Sequence, residues 1–233
     1  VFQVEKGNWK YMILRAGFGT LGILCNFYAV DHLVLSDASM LNKMSPFFVI
    51  LFSFLILKEK LTPIQVTAVC GAFIGSLFII KPTFLNMNIV PSLIGLCGGL
   101  CAGIAYTMVR VLGQRGQKGV SVVLFFSGFS CLVTLPYLLL NYHTMSMWQG
   151  IVLLGAGVAA AGGQFAITAA YYHAPAREIS VYDYSQIIFS AIIGFALFHQ
   201  IPDRYSVLGY VIIIGMAVWM FFYNQRRDAS DVK

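Results

Sequence analysis

Two polar residues and a proline near the start of one strongly apolar segment have the types and spacing of a small-solute site. Asn42 and Lys43 precede Pro46, and a proline cannot donate the backbone hydrogen bond that would engage the carbonyl of Asn42 four residues earlier. An amide, an ammonium group and a free carbonyl are then expected at one level of a single helix. Discontinuous membrane helices build solute sites in this way. Alternatively, Lys43 extends to the outer interface and Pro46 only kinks the helix.

A second ionisable group lies in a later apolar segment, where Asp183 has Tyr182, Tyr184 and Gln186 as neighbours. Polar side chains within such segments are energetically costly, so they mark functional sites. We expect Asp183 either to bind a cationic group of a solute or to carry a coupling proton, because burial makes protonation of a carboxylate feasible near neutral pH. The alternative is an interfacial carboxylate paired with Arg177.

Amide and aromatic side chains complete the candidate site. Asn26 and Gln164 fall in the middle of apolar segments, where an amide is better placed in a cavity than against lipid. Tyr106 would add an aromatic wall. The predicted solute-binding residues are therefore Asn26, Asn42, Lys43, Tyr106, Gln164, Tyr182, Asp183, Tyr184 and Gln186.

A membrane-embedded enzyme is the alternative to a solute-binding protein, and it depends on His32 and Asp37. Their H-x4-D spacing also occurs in glycerolipid acyltransferases, where the histidine is the base. His173 and Glu178 repeat the spacing, so duplication accounts for both pairs and catalysis is disfavoured. The sequence has no nucleophile motif, phosphate loop or metal-ligand set, and we predict no cofactor and no metal.

The elements that must position these residues follow from composition. Apolar residues make up 59% of the 233 residues and charged residues 10%, against about 25% charged in soluble domains. Runs of about 20 apolar residues match the length of a membrane-spanning helix. We predict an all-α integral membrane protein with eight spans, at 11–31, 38–57, 62–80, 89–109, 120–140, 148–172, 179–198 and 205–224. The five cysteines lie within these runs, where they pack as small apolar residues.

The charges between the spans predict the topology. The net charge of +6 is scattered, without the basic stripe that nucleic-acid binding requires. With the N-terminus in the cytoplasm, short connections place twelve Lys and Arg residues inside, Arg15 among them, and only Lys81 and Arg204 outside. This positive-inside bias predicts that both termini are cytoplasmic and that the protein resides in the plasma membrane.

The chain also repeats itself. A shift of 141 residues lays 22–62 onto 163–203, so that His32 meets His173 and Ser39 meets Ser180. Five spans separate equivalent helices, and this odd number makes the two copies inverted in the membrane. Since the second copy has two additional leading helices, we expect ten helices in the intact protein. The predicted units are 1–85, 86–227 and a cytoplasmic tail at 228–233.

The segments Ala38–Leu61 and Ile179–Pro202 resemble the EamA-type family of the drug/metabolite transporter superfamily. Pro46 within a helix and Glu59 with Lys60 at its cytoplasmic end fit the family pattern, whereas Ile187 and Gln200 replace the proline and the acid in the second copy. The resemblance implies a secondary transporter that moves a small metabolite or xenobiotic (an amino acid, nucleoside, sugar or drug) by alternating access, as an exporter. The partners are then the solute, the lipid bilayer and a coupling ion such as the proton, in a monomer or homodimer. A structural membrane protein is the third class, which needs no polar residues within its spans.

The topology can be tested with reporter fusions. Fusions after Lys60, Arg115 and Arg227 should report a cytoplasmic location, and fusions near Asn86 and Tyr142 an external one, because the positively charged connections stay inside. Alkaline phosphatase activity, which requires export, distinguishes the two sides. A cytoplasmic signal at Tyr142 would be incompatible with the predicted spans.

Overall fold

The computed structural model of the protein describes residues 4–5, 7–57, 62–80, 89–141, 144–173 and 185–231, and every regular element in these ranges is an α-helix. The helices, numbered in chain order, are α1 (Trp9–His32), α2 (Leu35–Asn42), α3 (Ser45–Leu57), α4 (Pro63–Ile80), α5 (Ile89–Gln114), α6 (Gly119–Leu140), α7 (Met147–His173), α8 (Ser185–Phe198) and α9 (Arg204–Asp231).

The all-α membrane fold is confirmed. Within the described ranges, seven apolar segments are long enough to cross a bilayer, with α2 and α3 counted as one span, and Gln186–Phe198 is a shorter apolar helix. In lipid, every backbone polar group must be satisfied internally, so runs of this length form helices. The predicted span 179–198 begins outside the described residues. Helix α9 continues to Asp231, so the start of the predicted tail is helical.

The predicted span 38–57 is interrupted. Helix α2 ends at Asn42, Lys43 and Met44 form a turn, and Pro46 is the second residue of α3. The amide of Met44 donates to the carbonyl of Leu41 at 3.2 Å, in a tighter turn than the α-helix has. A proline fits the first turn of a helix, where its missing N–H has no intrahelical partner. The prediction that Pro46 marks a discontinuity is therefore confirmed.

The span also begins earlier than predicted, at Leu35 rather than 38. Ser36 and Asp37 are buried in the first turn of α2 because the hydroxyl of Tyr210 binds both, at 3.0 Å and 2.5 Å. The sequence places these residues in a polar connection, whereas the structure pairs them with Tyr210 on α9. Lys43 consequently lies about two turns into the span instead of one.

Glycines on α5 let neighbouring helices approach to backbone distance. A Cβ built at Gly99 would lie 2.6 Å from the carbonyl oxygen of Leu41, and one at Gly98 would lie 3.3 Å from the carbonyl oxygen of Gly22. Helix association in lipid lacks a hydrophobic driving force and depends on such close packing. Helix α5 therefore contacts both α1 and the interrupted span.

The helix α4 crosses α9 at another glycine pair. A Cβ at Gly209 would lie 2.7 Å from the carbonyl oxygen of Gly75. From Gly71 to Gly75, the neighbouring residue on α9 changes from Met216 back to Ile212. The two helices therefore run antiparallel, as the predicted inversion requires.

The crossing of α4 and α9 gives a stability prediction. Gly209→Ala should lower the free energy of unfolding by about 1–3 kcal/mol, because the new methyl group meets backbone that cannot rotate away. Gly215→Ala on the same helix is the matched control, since nothing lies within 4 Å of its Cβ position. Thermal unfolding in detergent measures both variants. Equal melting temperatures for the two would contradict the close crossing.

Candidate functional site

A cavity of about 110 Å³ lies between α1, α2, α5, α6 and α7. Its volume accommodates several water molecules or a small solute. Residues from the middle turns of α1, α5 and α7 contribute to its walls, so the cavity lies within the spans. The lining residues are Arg15, Gly19, Gly22, Ile23, Asn26, Asn42, Ala102, Ala105, Tyr106, Phe126 and Gln164.

Four of the predicted site residues meet at this cavity. Asn26, Asn42, Tyr106 and Gln164 come from four different helices and all contribute to its lining. Asn42 is the last residue of α2, so the interruption of that span brings an amide and the end of a helix to the cavity wall. Their role in solute binding stays a prediction.

The other five predicted residues are not brought to the cavity by the described structure. Lys43 is buried in the turn after α2, with 8% of its surface exposed, and does not line the cavity. Gln186 is exposed in the first turn of α8 and does not line it either. Tyr182, Asp183 and Tyr184 lie outside the described residues.

Arg15 is the functional candidate that the sequence reasoning missed. It was counted among the inner-loop charges, yet it is only 2% exposed and lines the cavity. Its guanidinium carbon lies 4.0 Å from the ring centroid of Phe126 and 5.9 Å from that of Tyr106. The signal in the sequence was its position, about two turns past Trp9 and one turn before Gly19.

The side chain of Arg15 extends toward the middle of α1. A Cβ built at Gly19, one turn deeper along α1, would lie within van der Waals overlap of its Nη1 atom. Helical side chains normally point back toward the N-terminus, and a cation near a span's end normally extends to the nearer interface. Arg15 does neither, because Gly19 leaves room for the guanidinium beside the helix backbone.

The position of Arg15 is energetically costly. An arginine within a span is costly, with an upper limit of about 2.5–3.5 kcal/mol at the centre on insertion scales, whereas a cation–π contact returns about 0.5–2 kcal/mol. Among the described residues no carboxylate forms an ion pair with it, and its Nε atom is buried without a hydrogen-bond partner. The rings of Phe126 and Tyr106 therefore offset only part of the cost.

Polar and aromatic contacts position the walls of the cavity. The ring of Tyr106 stacks on that of Tyr171 at 4.8 Å, and the Gln164 side-chain amide donates to the hydroxyl of Thr168 at 3.3 Å. Thr20 and Ser130 share a hydrogen bond of 2.7 Å between α1 and α6. These contacts connect α1 and α5 to α6 and α7.

Polar contacts also connect helices at both ends of the bundle. At one end, the side-chain oxygen of Gln117 accepts a hydrogen bond from the amide of Glu5. The backbone carbonyl of Gln117 accepts another from the hydroxyl of Tyr172. At the other end, the side chain of Gln200 accepts from the amide of Leu35, 2.9 Å away. The predicted topology places the segments near Glu5, Gln117 and Tyr172 on one side of the membrane and those near Leu35 and Gln200 on the other. The two groups of contacts match this arrangement.

His32 and Asp37 do not form a catalytic pair in this arrangement. The Nδ1 atom of His32 lies 2.9 Å from the carbonyl oxygen of Tyr28, its ring stacks on that of Tyr28, and it is exposed. Asp37 is buried, and its carboxylate accepts a hydrogen bond from the hydroxyl of Tyr210. The carboxylate thus anchors α9 to α2. Within the described residues, no group of three or more His, Cys, Asp or Glu side chains could hold a metal.

Comparison with known proteins identifies relatives across nearly the whole chain. The model of the EamA-like transporter family matches residues 2–81 and 93–222. A pseudopaline exporter of Pseudomonas aeruginosa is 32% identical over 206 residues, which is 87% of this chain and 72% of that protein. A riboflavin transporter of Brucella anthropi is 27% identical over 94% of this chain and 77% of its own length.

Two further matches are more distant. An S-adenosylmethionine uptake transporter of Rickettsia prowazekii is 23% identical over 94% of this chain and 74% of that protein. A solved crystal structure superposes with a TM-score of 0.60 at 18% identity, covering 94% of this chain and 78% of that one. The structural match concerns the fold alone.

The contact between Tyr210 and Asp37 gives a second stability prediction. Tyr210→Phe removes the hydroxyl that binds a buried carboxylate and should lower the free energy of unfolding by roughly 1.5–3 kcal/mol. Tyr205→Phe is the control on the same helix, because Tyr205 is 57% exposed and such positions change stability by less than about 0.5 kcal/mol. Thermal unfolding compares them. A Tyr210→Phe variant as stable as the control would show that this contact does not anchor α9.

Proposed function

The chain belongs to the EamA-like transporter family, and on that premise we propose that the cavity beside Arg15 is the solute site of a secondary transporter that works by alternating access. The protein is a small-molecule transporter of the membrane, as its named relatives are. The observation that carries the proposal is the meeting of Asn26, Asn42, Tyr106 and Gln164, from four helices, at one cavity within the spans. Such polar lining is costly in lipid unless it serves a solute.

The interrupted span supports the mechanism. Transporters of this type commonly bind solutes where a helix is discontinuous, because helix ends supply unpaired backbone groups. Here Asn42 ends α2 at the cavity wall. Polar contacts close to each end of the bundle, such as Leu35 with Gln200 and Glu5 with Gln117, are candidates for the bonds that form and break as each side opens.

Inversion of the two halves would provide the two states. The predicted units 1–85 and 86–227 place α4 and α9 at equivalent positions, and their antiparallel crossing at Gly75 and Gly209 is the contact expected beside a twofold axis in the membrane plane. In this scheme each half moves relative to the other about that crossing.

The finer features of the proposal follow the charge pattern and the relatives. Export is the proposed direction, supported by the relative named as a pseudopaline exporter, although another is named for uptake. We place the protein in the plasma membrane with both termini in the cytoplasm, as a monomer or homodimer, with Asp183 as the candidate carrier of a coupling proton.

The enzyme alternative has weaker support. His32 is exposed and Asp37 is buried against Tyr210, so the pair lacks the common site that general-base catalysis requires. The named relatives are transporters. Product formation from lipid or acyl donors by the purified protein would restore this alternative.

Transport assays in proteoliposomes test the proposal. A panel of amino acids, nucleosides, sugars and cationic drugs should contain a solute whose counterflow requires the protein. Gln164→Ala should then raise the half-saturating concentration about two- to tenfold, because a lost neutral hydrogen bond costs about 0.5–1.5 kcal/mol. Gln114→Ala, at an exposed end of α5, is the matched control. Flux that responds equally to both substitutions would place the solute site elsewhere.

A further inference from the structure

We propose that the solute carried by this protein is a monoanion, and that its carboxylate binds the guanidinium of Arg15 in the cavity. The inference rests on the proposed function and specifies its substrate class. It begins from Arg15, which is 2% exposed, has an Nε atom without a partner and lines the cavity. Among the residues that the structure describes no carboxylate pairs with it, and a buried charge without a partner is strongly destabilising.

The local geometry holds Arg15 at the cavity. The side chain extends over Gly19 rather than toward the nearer end of α1, and Phe126 covers its guanidinium at 4.0 Å. Snorkelling would have relieved the charge at the membrane surface. The glycine and the aromatic ring instead keep the cation in place, which is the preorganisation that binding sites use to limit the entropic cost of association.

The charge of the lining selects the class of anion. Arg15 is the only charged side chain among the lining residues that the structure describes. A carboxylate matches its single charge and accepts two parallel hydrogen bonds from its planar fork. A phosphate monoester, which carries a charge of about −1.5 to −2 near neutral pH, would leave negative charge unbalanced. We therefore favour a carboxylate over a phosphate.

The remaining lining describes the rest of the solute. Asn26 lies about 16 Å from Arg15 along the axis of α1, and Asn42 lines the same cavity. The aromatic rings of Tyr106 and Phe126 lie beside the cation. The solute thus has its carboxylate next to an apolar or aromatic group and carries neutral hydrogen-bonding groups farther away.

Ligand protection of the purified full chain in detergent tests this inference. The probes are acid and amide pairs of the same shape, namely benzoate with benzamide, nicotinate with nicotinamide and lactate with lactamide, together with phenyl phosphate. At least one acid should raise the melting temperature in a saturable way, whereas its amide should not. Equal protection by acid and amide, or no protection by any acid, would overturn the proposal. Stronger protection by phenyl phosphate would overturn the preference for a carboxylate.

Substitutions connect the protection to Arg15. Arg15→Gln should weaken binding of the protective acid at least tenfold, and Arg15→Lys should retain part of the affinity because a point charge remains without the planar fork. Arg115→Gln, at an exposed arginine outside the cavity, should leave the affinity unchanged. Unchanged binding by Arg15→Gln would reject the inference.

A steric variant keeps the arginine and remains informative if Arg15→Gln does not fold. Gly19→Ala places a methyl group where Nη1 now lies and should weaken acid binding several-fold, whereas Gly17→Ala on the same helix meets nothing within 4 Å and should not. Equal affinities in these two variants would contradict the assigned position of the guanidinium.

Counterflow in proteoliposomes separates this inference from the proposed function. Acid protection without flux of any solute would reject the transport mechanism at this cavity and leave Arg15 as an anion site. Flux of neutral solutes that is unaffected by Arg15→Gln would reject the anion site and leave the transport proposal standing.

Discussion

The close approach of α1 and α5 at Gly22 and Gly98 is the constraint on which the rest of the structure depends. Lipid tails are as apolar as leucine side chains, so helices in a bilayer gain little from apolar burial and associate through close packing instead. A methyl group at either glycine would press against the backbone of the other helix. This contact fixes the distance between Arg15 on α1 and Tyr106 on α5, and with it the width of the cavity.

This close packing leaves a cavity that contains a buried cation. Helices that met along uninterrupted apolar faces would leave no space for a guanidinium, and the charge would move to the membrane surface. Gly19 and Gly22 instead remove side-chain volume on the cavity face of α1. The same small residues that bring the helices together therefore create the space in which polar groups lie.

The interruption between α2 and α3 divides this span into two parts with different contacts. Pro46 permits the break, while Gly99 on α5 leaves room for the backbone carbonyl of Leu41. Contacts of Ser36 and Asp37 with Tyr210 anchor the first part of this span, α2, to α9, and the Ser39 hydroxyl lies 2.8 Å from that of Ser190 on α8. Both parts of this span pack on α5, and α2 in addition contacts α8.

The sequence by itself determined three features. These are the membrane-spanning helices, from the apolar runs of about 20 residues, the interruption near Pro46, and the placement of the amides Asn26 and Gln164 within spans. In lipid, an apolar run of this length must satisfy its backbone hydrogen bonds internally, and it therefore forms an α-helix. The sequence did not determine that Arg15 is buried at the cavity, because a cation near the end of a span is also compatible with an interfacial position. Nor did it decide the partner of Asp37, which is 173 residues away in Tyr210. Both depend on which helices are neighbours and on the direction in which a side chain extends, and these are properties of the packed bundle alone.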